Sequence, residues 1–300
     1  GVSRTAVWKI INQLKEEGYE IEAVQNRGYR LLSSPDLLGE SEIKSRLHTG
    51  WAGKNLIFHP VTGSTNIDAK AAAEEGAQEG TLVVTERQDA GRGRRGRGWF
   101  SPEGCNLYFT ILLRPGCAPD QACTLTLVMA LAVAQAVREL GLDAGIKWPN
   151  DVVIAGKKVC GILTEMSAEP DFIHYVVIGT GVNVNQEAFP GEIAGTATSL
   201  RIEKGERIAR AGLLASVMAH FESAYETFCA TWDLSGLAAD YESLLLNKDR
   251  PVRVLDPKGN FEGTARGINE KGELLVERQD GRLEYVYAGE VSVRGVYGYV

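Results

Sequence analysis

The 300-residue chain has few of the features that mark exported, membrane-spanning or zinc-binding proteins. No stretch approaches the roughly 18 consecutive apolar residues of a transmembrane helix, and residues 1–9 do not place a charged stretch before an apolar one. The five cysteines are odd in number and include no C-x-x-C pair. We therefore expect a cytoplasmic protein with reduced thiols, no membrane segment and no structural zinc site.

The chain also has no excess of positive charge. Its 32 basic and 39 acidic residues give a formal net charge of −7, so any contact with nucleic acid must come from a local basic patch. A hydrophobic fraction of 44% is sufficient for a large core. At about 150 residues per domain, the length predicts two or three domains.

The N-terminal segment predicts a helix followed by a β-hairpin. Apolar residues recur at helical spacing from Val7 to Leu14, with Ser3 as the N-cap and Gly18 at the end. Two short strands then flank a turn at residues 25–28. This order is typical of a winged helix, whose recognition helix needs further helices to brace it. Because the chain begins almost at that helix, we expect residues 1–34 to be a partial winged-helix domain, truncated at its N-terminus.

The rest of the chain predicts an α+β domain at residues 35–247 and a small β-barrel at 248–300. Predicted strands lie at 56–61, 82–86, 107–113, 146–148, 159–166 and 175–184, and predicted helices at 66–75, 121–140, 207–230 and 237–246. Several neighbouring strands are close enough in sequence to be antiparallel. After residue 250, short alternating runs are separated by turn sequences, which is typical of a barrel.

Residues 91–98 carry the strongest chemical signal, because they contain four arginines and four glycines. They include the pattern G-x-G-x-x-G, but a second strand follows where a dinucleotide-binding fold requires a helix. Arginine-glycine tracts that bind RNA usually lie in disordered tails, whereas this one lies between two apolar strands. Since arginine donates two parallel hydrogen bonds to phosphate and glycine lets backbone amides approach it, the composition favours a phosphate clamp.

Three other segments carry polar residues at the ends of predicted strands. Lys147-Trp148-Pro149-Asn150-Asp151 follows one strand, and Lys157-Lys158 begins the next. Ser64 and Thr65 precede a helix, where they either cap it or contact a ligand. Asn183 and Asn185 end another strand, as turn formers or as ligand-binding amides.

Together these segments resemble the motifs of biotin protein ligases, and in particular of the bifunctional type that also represses the biotin operon. The matching motifs are Gly63-Ser64-Thr65-Asn66, the run from Gln88 to Gly96, Lys147-Trp148-Pro149-Asn150-Asp151, and Lys158-x-x-Gly161-Ile162-Leu163. The resemblance covers essentially the whole chain. It implies a central mixed-sheet ligase domain like that of class II aminoacyl-tRNA synthetases, a partial N-terminal winged helix and a C-terminal SH3-like β-barrel.

The resemblance implies an ATP-dependent reaction in two steps. Biotin and ATP form biotinyl-5′-AMP with the help of Mg²⁺, and the biotinyl group then passes to a lysine of the biotin carboxyl carrier protein. The biotin-binding residues are expected to be Ser64, Thr65, Asn66, Gln88, Arg92, Gly93, Arg94 and Lys158. Nucleotide-binding residues are expected at Arg97, Phe100, Asn150 and Asn183, and catalytic ones at Arg94, Lys158 and Asp151. No protein ligands for a metal are expected.

Two positions leave alternatives open. A free lysine is almost wholly protonated at pH 7, with a pKa near 10.4, so the acceptor lysine must lose a proton. Asp151 either orients or deprotonates it, or is a structural aspartate in an exposed turn. The family commonly places a tryptophan against the adenine just before a Gly-Gly-Glu turn, whereas this chain has Tyr285-Val286-Tyr287 before Ala288-Gly289-Glu290. A smaller tyrosine face takes that contact, or the contact is lost.

The resemblance also implies operator DNA as a partner, with contacts from Ser3, Arg4, Lys9 and Arg27, and a homodimer that pairs through the edges of its central sheets. A lipoate-type ligase and a regulator that uses biotin only as an effector remain alternatives. Ordering eight backbone residues costs about 8 to 16 kcal/mol. We therefore expect residues 91–98 to be mobile in the free protein and ordered by biotin or the adenylate.

Overall fold

The computed structural model of the chain describes residues 3–16, 18–25, 27–33, 36–256, 259–288 and 292–295. Its elements form three groups in chain order: a helix with a two-stranded sheet, a seven-stranded sheet covered by helices, and a five-stranded sheet. The α+β fold with a mixed central sheet, predicted from the sequence, is confirmed.

The first group is the helix and hairpin that the N-terminal pattern predicts. It consists of helix α1 (Arg4–Glu16) and the antiparallel strands β1 (Glu20–Val24) and β2 (Gly28–Ser33). The Ser3 hydroxyl accepts a hydrogen bond of 3.2 Å from the Ala6 amide, so Ser3 caps α1 as predicted. Helix α1 buries none of its residues. Asn26, at the predicted hairpin turn, lies outside the described residues.

The second group is a seven-stranded sheet with helices on both faces. Its strands are β3 (Leu56–Thr62), β4 (Leu82–Gln88), β5 (Leu107–Leu113), β6 (Gly145–Lys147), β7 (Asp151–Ile154), β8 (Lys157–Glu169) and β9 (Phe172–Val182). The order across the sheet is β3-β4-β5-β9-β8-β7-β6. Strands β3 and β4 run parallel, and the other neighbours run antiparallel.

The helices of this group divide between the two faces of the sheet. They are α2 (Glu40–Arg46), α3 (Thr65–Glu74), α4 (Pro119–Ala122), α5 (Leu125–Glu139), α6 (Leu200–Lys204), α7 (Arg210–Thr231) and α8 (Ala238–Leu244). Phe109 and Ile111 of β5 pack into the large core that includes α5 and α7. Leu112 points the other way and packs with Ala69 of α3, because successive side chains alternate along a strand.

Several element bounds differ from the sequence predictions. The helix predicted over 121–140 is divided into α4 and α5, because the amides of Thr124 and Leu127 donate to carbonyls only three residues back. Helix α2 was not predicted, since its seven residues bury only Ile43. Strand β7 was not predicted either, because the proline at 149 and the polar residues after it read as a turn.

One helical stretch, Pro119–Glu139, is long and apolar enough by composition to cross a membrane. The sequence prediction that no such stretch exists is therefore wrong on composition alone. In the structure 72% of its most apolar window is buried against the rest of the protein. Packing in the core accounts for the composition of this stretch.

The third group is a five-stranded antiparallel sheet. Its strands are β10 (Pro251–Leu255), β11 (Phe261–Ile268), β12 (Leu274–Glu277), β13 (Leu283–Val286) and β14 (Ser292–Gly295). They lie in the order β13-β12-β11-β10-β14. The buried side chains of Val252, Val254, Ala265 and Val276 give this sheet its apolar face.

Candidate active site

A pocket lies on the α3 face of the central sheet, between the start of α3, the end of β4 and the middle of β8 and β9. The residues expected to bind biotin all line it: Ser64, Thr65, Asn66, Gln88, Arg92, Gly93, Arg94 and Lys158. Glycines form part of its wall. A Cβ at Gly181 would lie 2.4 Å from Nε1 of Trp99, and a Cβ at Gly179 would lie 2.0 Å from Oδ1 of Asn66. These two glycines therefore make room for the indole and the amide.

Hydrogen bonds fix the orientation of Gln88 at the pocket wall. Its Oε1 accepts from the Thr65 backbone amide at 3.0 Å and from the Thr65 hydroxyl at 3.2 Å. Its Nε2 donates to the Ser101 hydroxyl at 3.1 Å. Ser64 occupies the N-cap position of α3, yet its side chain makes no capping hydrogen bond. Side-chain capping, the structural alternative for Ser64, is therefore wrong, and the Ser64 hydroxyl lines the pocket.

Asn66 is held on all sides by protein groups. Its Nδ2 donates to the Leu163 carbonyl at 3.3 Å and to Glu165 at 2.8 Å, and its Oδ1 accepts from the Thr110 hydroxyl at 2.7 Å. Glu165 also accepts from Lys70 at 2.6 Å. Burial raises the pKa of Glu165, but the hydrogen bonds from Lys70 and Asn66 outweigh it and the pKa is lowered overall. The ionised carboxylate of Glu165 therefore fixes the side-chain amide of Asn66 at the pocket wall.

The arginine-glycine loop closes over the pocket as a short hairpin-like turn. The Gly93 amide donates to the Arg97 carbonyl at 2.7 Å, and the Trp99 amide donates to the Gly91 carbonyl at 2.9 Å. From this turn the Arg94 guanidinium reaches across to Asn150, donating from Nη1 to Oδ1 at 3.0 Å. Burial lowers the pKa of Arg94, whose ordinary value is so high that it stays charged.

Lys158 and Asp151 form an ion pair at the edge of the pocket. Lys158 Nζ lies 2.5 Å from Asp151 Oδ1 and 5.3 Å from the centre of the Trp99 ring. The Asp151 side chain is only 13% exposed, and Asp151 begins strand β7. Asp151 is therefore not an exposed turn residue, because it pairs with β8 and turns its carboxylate toward Lys158. Its role toward the acceptor lysine stays a prediction.

A strongly basic cavity adjoins the pocket. The two share Gly93, Arg94, Trp99, Asn150 and Lys158. Its charged lining residues are Arg94, Arg95, Arg97, Lys147, Asp151, Lys158 and Arg294. Among the described residues that line this cavity, six are cationic and one is a carboxylate. Such a cavity suits a polyanion, and its cations would screen charge on phosphoryl oxygens.

Lys147 is the most perturbed of these cations. Only 4% of the residue is exposed. Burial is the largest cause and lowers its pKa to about 8; Asp151 acts in the opposite direction, and Arg294, Lys158 and Arg97 each lower the pKa further. Lys147 therefore carries its charge at pH 7 and loses it within a pH range in which the protein can be assayed.

A third and larger cavity, of about 480 Å³, lies on the other side of Arg94. It is lined by the edge of β8 from Ile162 to Met166, by Cys123 and Thr126, and by Ala288 of the C-terminal group. Arg94 lines all three cavities. Arg94 is therefore in a position to contact molecules bound in any of the three cavities.

Two residues expected to contact the nucleotide do not line these cavities. Phe100 is 48% exposed, and Asn183 is buried with its Nδ2 donating to the Thr198 carbonyl at 3.0 Å. Arg97 and Asn150 do line the basic cavity. The turn residues Gly289 and Glu290 lie outside the described residues. Ser3, Arg4, Lys9 and Arg27 are each exposed on the N-terminal group.

Comparisons with known proteins identify all three groups. Residues 58–183 match the biotin/lipoate A/B protein ligase family, residues 249–294 match the biotin protein ligase C-terminal domain, and residues 1–30 match a helix-turn-helix domain. The bifunctional ligase/repressor BirA of Bacillus subtilis is 43% identical over 296 residues, which are 98% of this chain and 90% of that protein. BirA of Escherichia coli is 33% identical over 298 residues, again 98% and 90% of the two chains.

The chain belongs to the biotin protein ligase family. The resemblance seen in the sequence motifs is thereby confirmed. A solved biotin protein ligase from Aquifex aeolicus, in complex with biotin and ATP, superposes with a TM-score of 0.71 and 33% identity. It covers 81% of this chain, and 99% of the Aquifex chain is matched.

Sequence reasoning missed three residues of this ligase-family site. Trp99 lines both the pocket and the basic cavity, and its Nε1 is buried with no hydrogen-bond partner among the described residues. Lys147 and Arg294 line the basic cavity. Lys147 could have been found, because it begins a motif that was already singled out. Arg294 gives no local signal, since it lies on the C-terminal sheet and reaches the site only through folding.

Proposed function

We propose that this protein is an ATP-dependent biotin protein ligase, which forms biotinyl-5′-AMP and transfers the biotinyl group to a lysine of the biotin carboxyl carrier protein. The observation that carries the proposal is the junction at Arg94 and Lys158. A pocket lined by all the expected biotin residues opens there onto a cavity with six cations. The names of the relatives and the biotin and ATP in the Aquifex structure support the same reaction.

In the first step the carboxylate of biotin attacks the α-phosphorus of ATP and pyrophosphate leaves. Two anions must approach each other, so cations have to screen them and stabilise the charge that builds on the α-phosphoryl oxygens. Arg94 and Lys158 stand between the pocket and the basic cavity and are our candidates for this role. Lys147, Arg95, Arg97 and Arg294 would then hold the leaving pyrophosphate.

In the second step the amine of the acceptor lysine attacks the carbonyl of the mixed anhydride and AMP leaves. The amine must lose a proton for this attack. Asp151 is the carboxylate of the basic cavity, and its bond to Lys158 keeps it oriented. We propose that Asp151 orients the incoming lysine and accepts its proton.

The proposed reaction does not rely on a dedicated protein site for Mg²⁺. Among the described residues there is no group of three or more His, Cys, Asp or Glu side chains suited to a metal ion. Asp151 is already paired with Lys158. Since Mg²⁺ is commonly bound through substrate phosphates, any Mg²⁺ would enter with ATP, and no step above depends on a protein ligand for it.

The test of this function is incubation of the full chain with ATP, Mg²⁺, biotin and a biotin carboxyl carrier domain, scored by mass. We expect one added biotinyl group on the carrier and release of pyrophosphate. A parallel reaction with lipoate and its carrier separates the two ligase types that the family model spans. Transfer of lipoate instead of biotin, or no pyrophosphate release with biotin, would contradict the proposal.

We further propose that the protein represses biotin-synthesis genes by binding operator DNA. The helix-turn-helix match and the exposed basic residues Arg4, Lys9 and Arg27 support this role. Beyond Gly161, strand β8 pairs with β9 on one side and with no strand of the described residues on the other. This edge supports pairing with a second copy. Sedimentation with and without biotinyl-AMP, followed by an operator-binding assay, tests both points.

We propose domain boundaries at residues 1–34, 35–247 and 248–300, with the protein in the cytoplasm. The boundaries are supported by the breaks between the three groups of elements. All five cysteines are free thiols, which supports a reducing compartment. Expression with a localisation tag and limited proteolysis at residues 34–36 and 247–250 test these points.

A further inference from the structure

The buried side chain of Trp148 helps to anchor the C-terminal sheet to the ligase domain. Its indole N–H donates to the Gly272 carbonyl at 3.0 Å, and its backbone amide donates to Asn247 Oδ1 at 2.8 Å. Trp148 is only 1% exposed. A buried donor and acceptor that satisfy each other hold their two segments in a fixed geometry, because separating them would leave both unpaired.

Other ligase-domain residues hold the same turn of the C-terminal sheet. The Leu234 amide donates to the Glu270 carbonyl at 2.7 Å, and the Thr124 hydroxyl donates to the Lys271 carbonyl at 3.3 Å. Gly272 has a φ of +75°, and a Cβ there would lie 3.1 Å from Leu127. The turn before β12 is therefore tightly seated against α5 and the segment after α7.

This turn lies beside the carbonyl that contacts Arg94. Strands β12 and β13 pair Leu274 with Val286, so Gly272 and Ala288, each two residues further along, lie at the same end of the pair. The Ala288 carbonyl accepts from Arg94 Nη2 at 2.7 Å. The other arm of that guanidinium donates to Asn150 Oδ1, and Asn150 follows Trp148 by two residues. Hydrogen bonds therefore join Trp148 to Gly272, and Arg94 to both Ala288 and Asn150. The pairing of β12 with β13 relates the turn at Gly272 to Ala288.

Resting on the proposed function, we infer that Trp148 is a positioning residue for Arg94. By seating the turn at Gly272 it places the Ala288 carbonyl, which together with Asn150 holds the Arg94 guanidinium at the junction of the three cavities. The C-terminal sheet thus influences the position of Arg94 through the backbone carbonyl of Ala288. Loss of the indole N–H should loosen Arg94 and the arginine-glycine loop together.

The test is Trp148→Phe, which keeps an aromatic ring and removes the indole donor. In the protein without ligands, we expect backbone amides of residues 93–98 to exchange hydrogen about five- to tenfold faster, the size expected for loss of one internal hydrogen bond. With ATP and biotin, we expect more free adenylate and more labelling of lysines outside the carrier. Trp51→Phe is the control, because it removes an indole hydrogen bond, to Glu226 at 3.2 Å, from a tryptophan that lines none of these three cavities.

A double-mutant cycle decides whether Trp148 acts through Arg94. If it does, Trp148→Phe should add little to the adenylate release of Arg94→Gly, because the coupled residues are not additive. Additive effects, or unchanged exchange at residues 93–98, would overturn the inference. Thr124→Val, which loosens the same turn more mildly, replaces Trp148→Phe if that variant does not fold. The exchange result requires no biotin, so it stands or fails separately from the ligase assay.

Discussion

At the scale of single residues, the site depends on side chains whose surroundings change their ordinary behaviour. Lys147 is buried among cations, Asn66 has its amide fixed by Glu165, and Trp99 fits only because Gly181 has no side chain. Each of these effects is local, so a single substitution should separate it from the rest of the fold.

For Lys147, we expect kcat/KM for ATP to fall as the pH rises through about 8. Burial lowers the pKa of this lysine, so the free protein carries the charge below that pH and loses it above. Full dependence on this charge would lower kcat/KM by up to about tenfold one pH unit above the pKa. Lys147→Met should flatten the profile between pH 7 and 9, whereas Lys44→Met, at an exposed lysine paired with Glu40, should leave it unchanged. Retention of the slope in Lys147→Met would contradict the prediction.

For Gly181, we expect Gly181→Ala to weaken biotin binding by at least about fivefold, because overpacking of this kind costs about 1 to 3 kcal/mol. The new methyl group would displace the Trp99 indole from its position against β9. Calorimetric titration with biotin measures the effect. Gly39→Ala is the control, since a Cβ there meets nothing within 4 Å. Equal affinities for the two variants would show that the indole position does not matter.

At the scale of elements, the arginine-glycine loop follows strand β4. Few backbone hydrogen bonds hold the loop in place. It contains four arginines, and Arg92, Arg95, Arg97 and Gly98 are exposed. Because glycines make ordering costly, we expect this loop to become ordered only when its arginines hold an anion.

We expect trypsin to cut within residues 91–98 of the free protein and to be blocked by biotin with ATP. The ligands supply contacts to the arginines and so offset the cost of ordering the backbone. Equal rates of cutting in both states would contradict this prediction.

We expect Arg94→Gly to release adenylate early and therefore to label lysines indiscriminately. Labelling confined to the carrier would contradict the role of Arg94 as a clamp.

At the scale of the whole molecule, one buried ion cluster joins parts that are far apart in sequence. The Arg210 side chain is 2% exposed and pairs with Asp36, which follows the winged-helix segment, and with Glu86 of β4. Asp36 also accepts from the Arg210 backbone amide at 2.9 Å. The cluster thereby ties the chain that leaves the N-terminal group to the strand that carries Gln88 into the pocket.

We expect Arg210→Met to lower the free energy of unfolding by about 3 to 5 kcal/mol, because it leaves two largely buried carboxylate side chains, 10% and 17% exposed, without their cationic partner. Urea denaturation measures this loss. Arg201→Met, which breaks an ion pair of α6 that is more exposed to solvent, should cost less than about 1 kcal/mol. A similar cost for both variants would mean that the cluster is not a structural anchor.

Much of the fold follows from local patterns, and the exceptions have physical reasons. Strand β5 has the predicted bounds, Leu107–Leu113, because a continuous apolar run between polar segments suits a strand buried on both faces. Helix α2 escaped prediction because its signal lies in ion pairs four residues apart, Glu40 with Lys44 and Glu42 with Arg46, rather than in an apolar stripe. The residues that the motifs predict to bind biotin line a single pocket, whereas the low exposure of Asp151 was not predicted.

The sequence by itself determined the family of this protein, most segments of its central sheet, and the run of arginines and glycines at residues 91–98. Turn chemistry, periodicity and side-chain type act within a few residues, so they can be read along the chain. Only the tertiary structure decided which cations share a cavity, and that Arg94 donates to a carbonyl 194 residues away. Electrostatic and hydrogen-bond interactions depend on distances in space, which packing of the whole chain establishes.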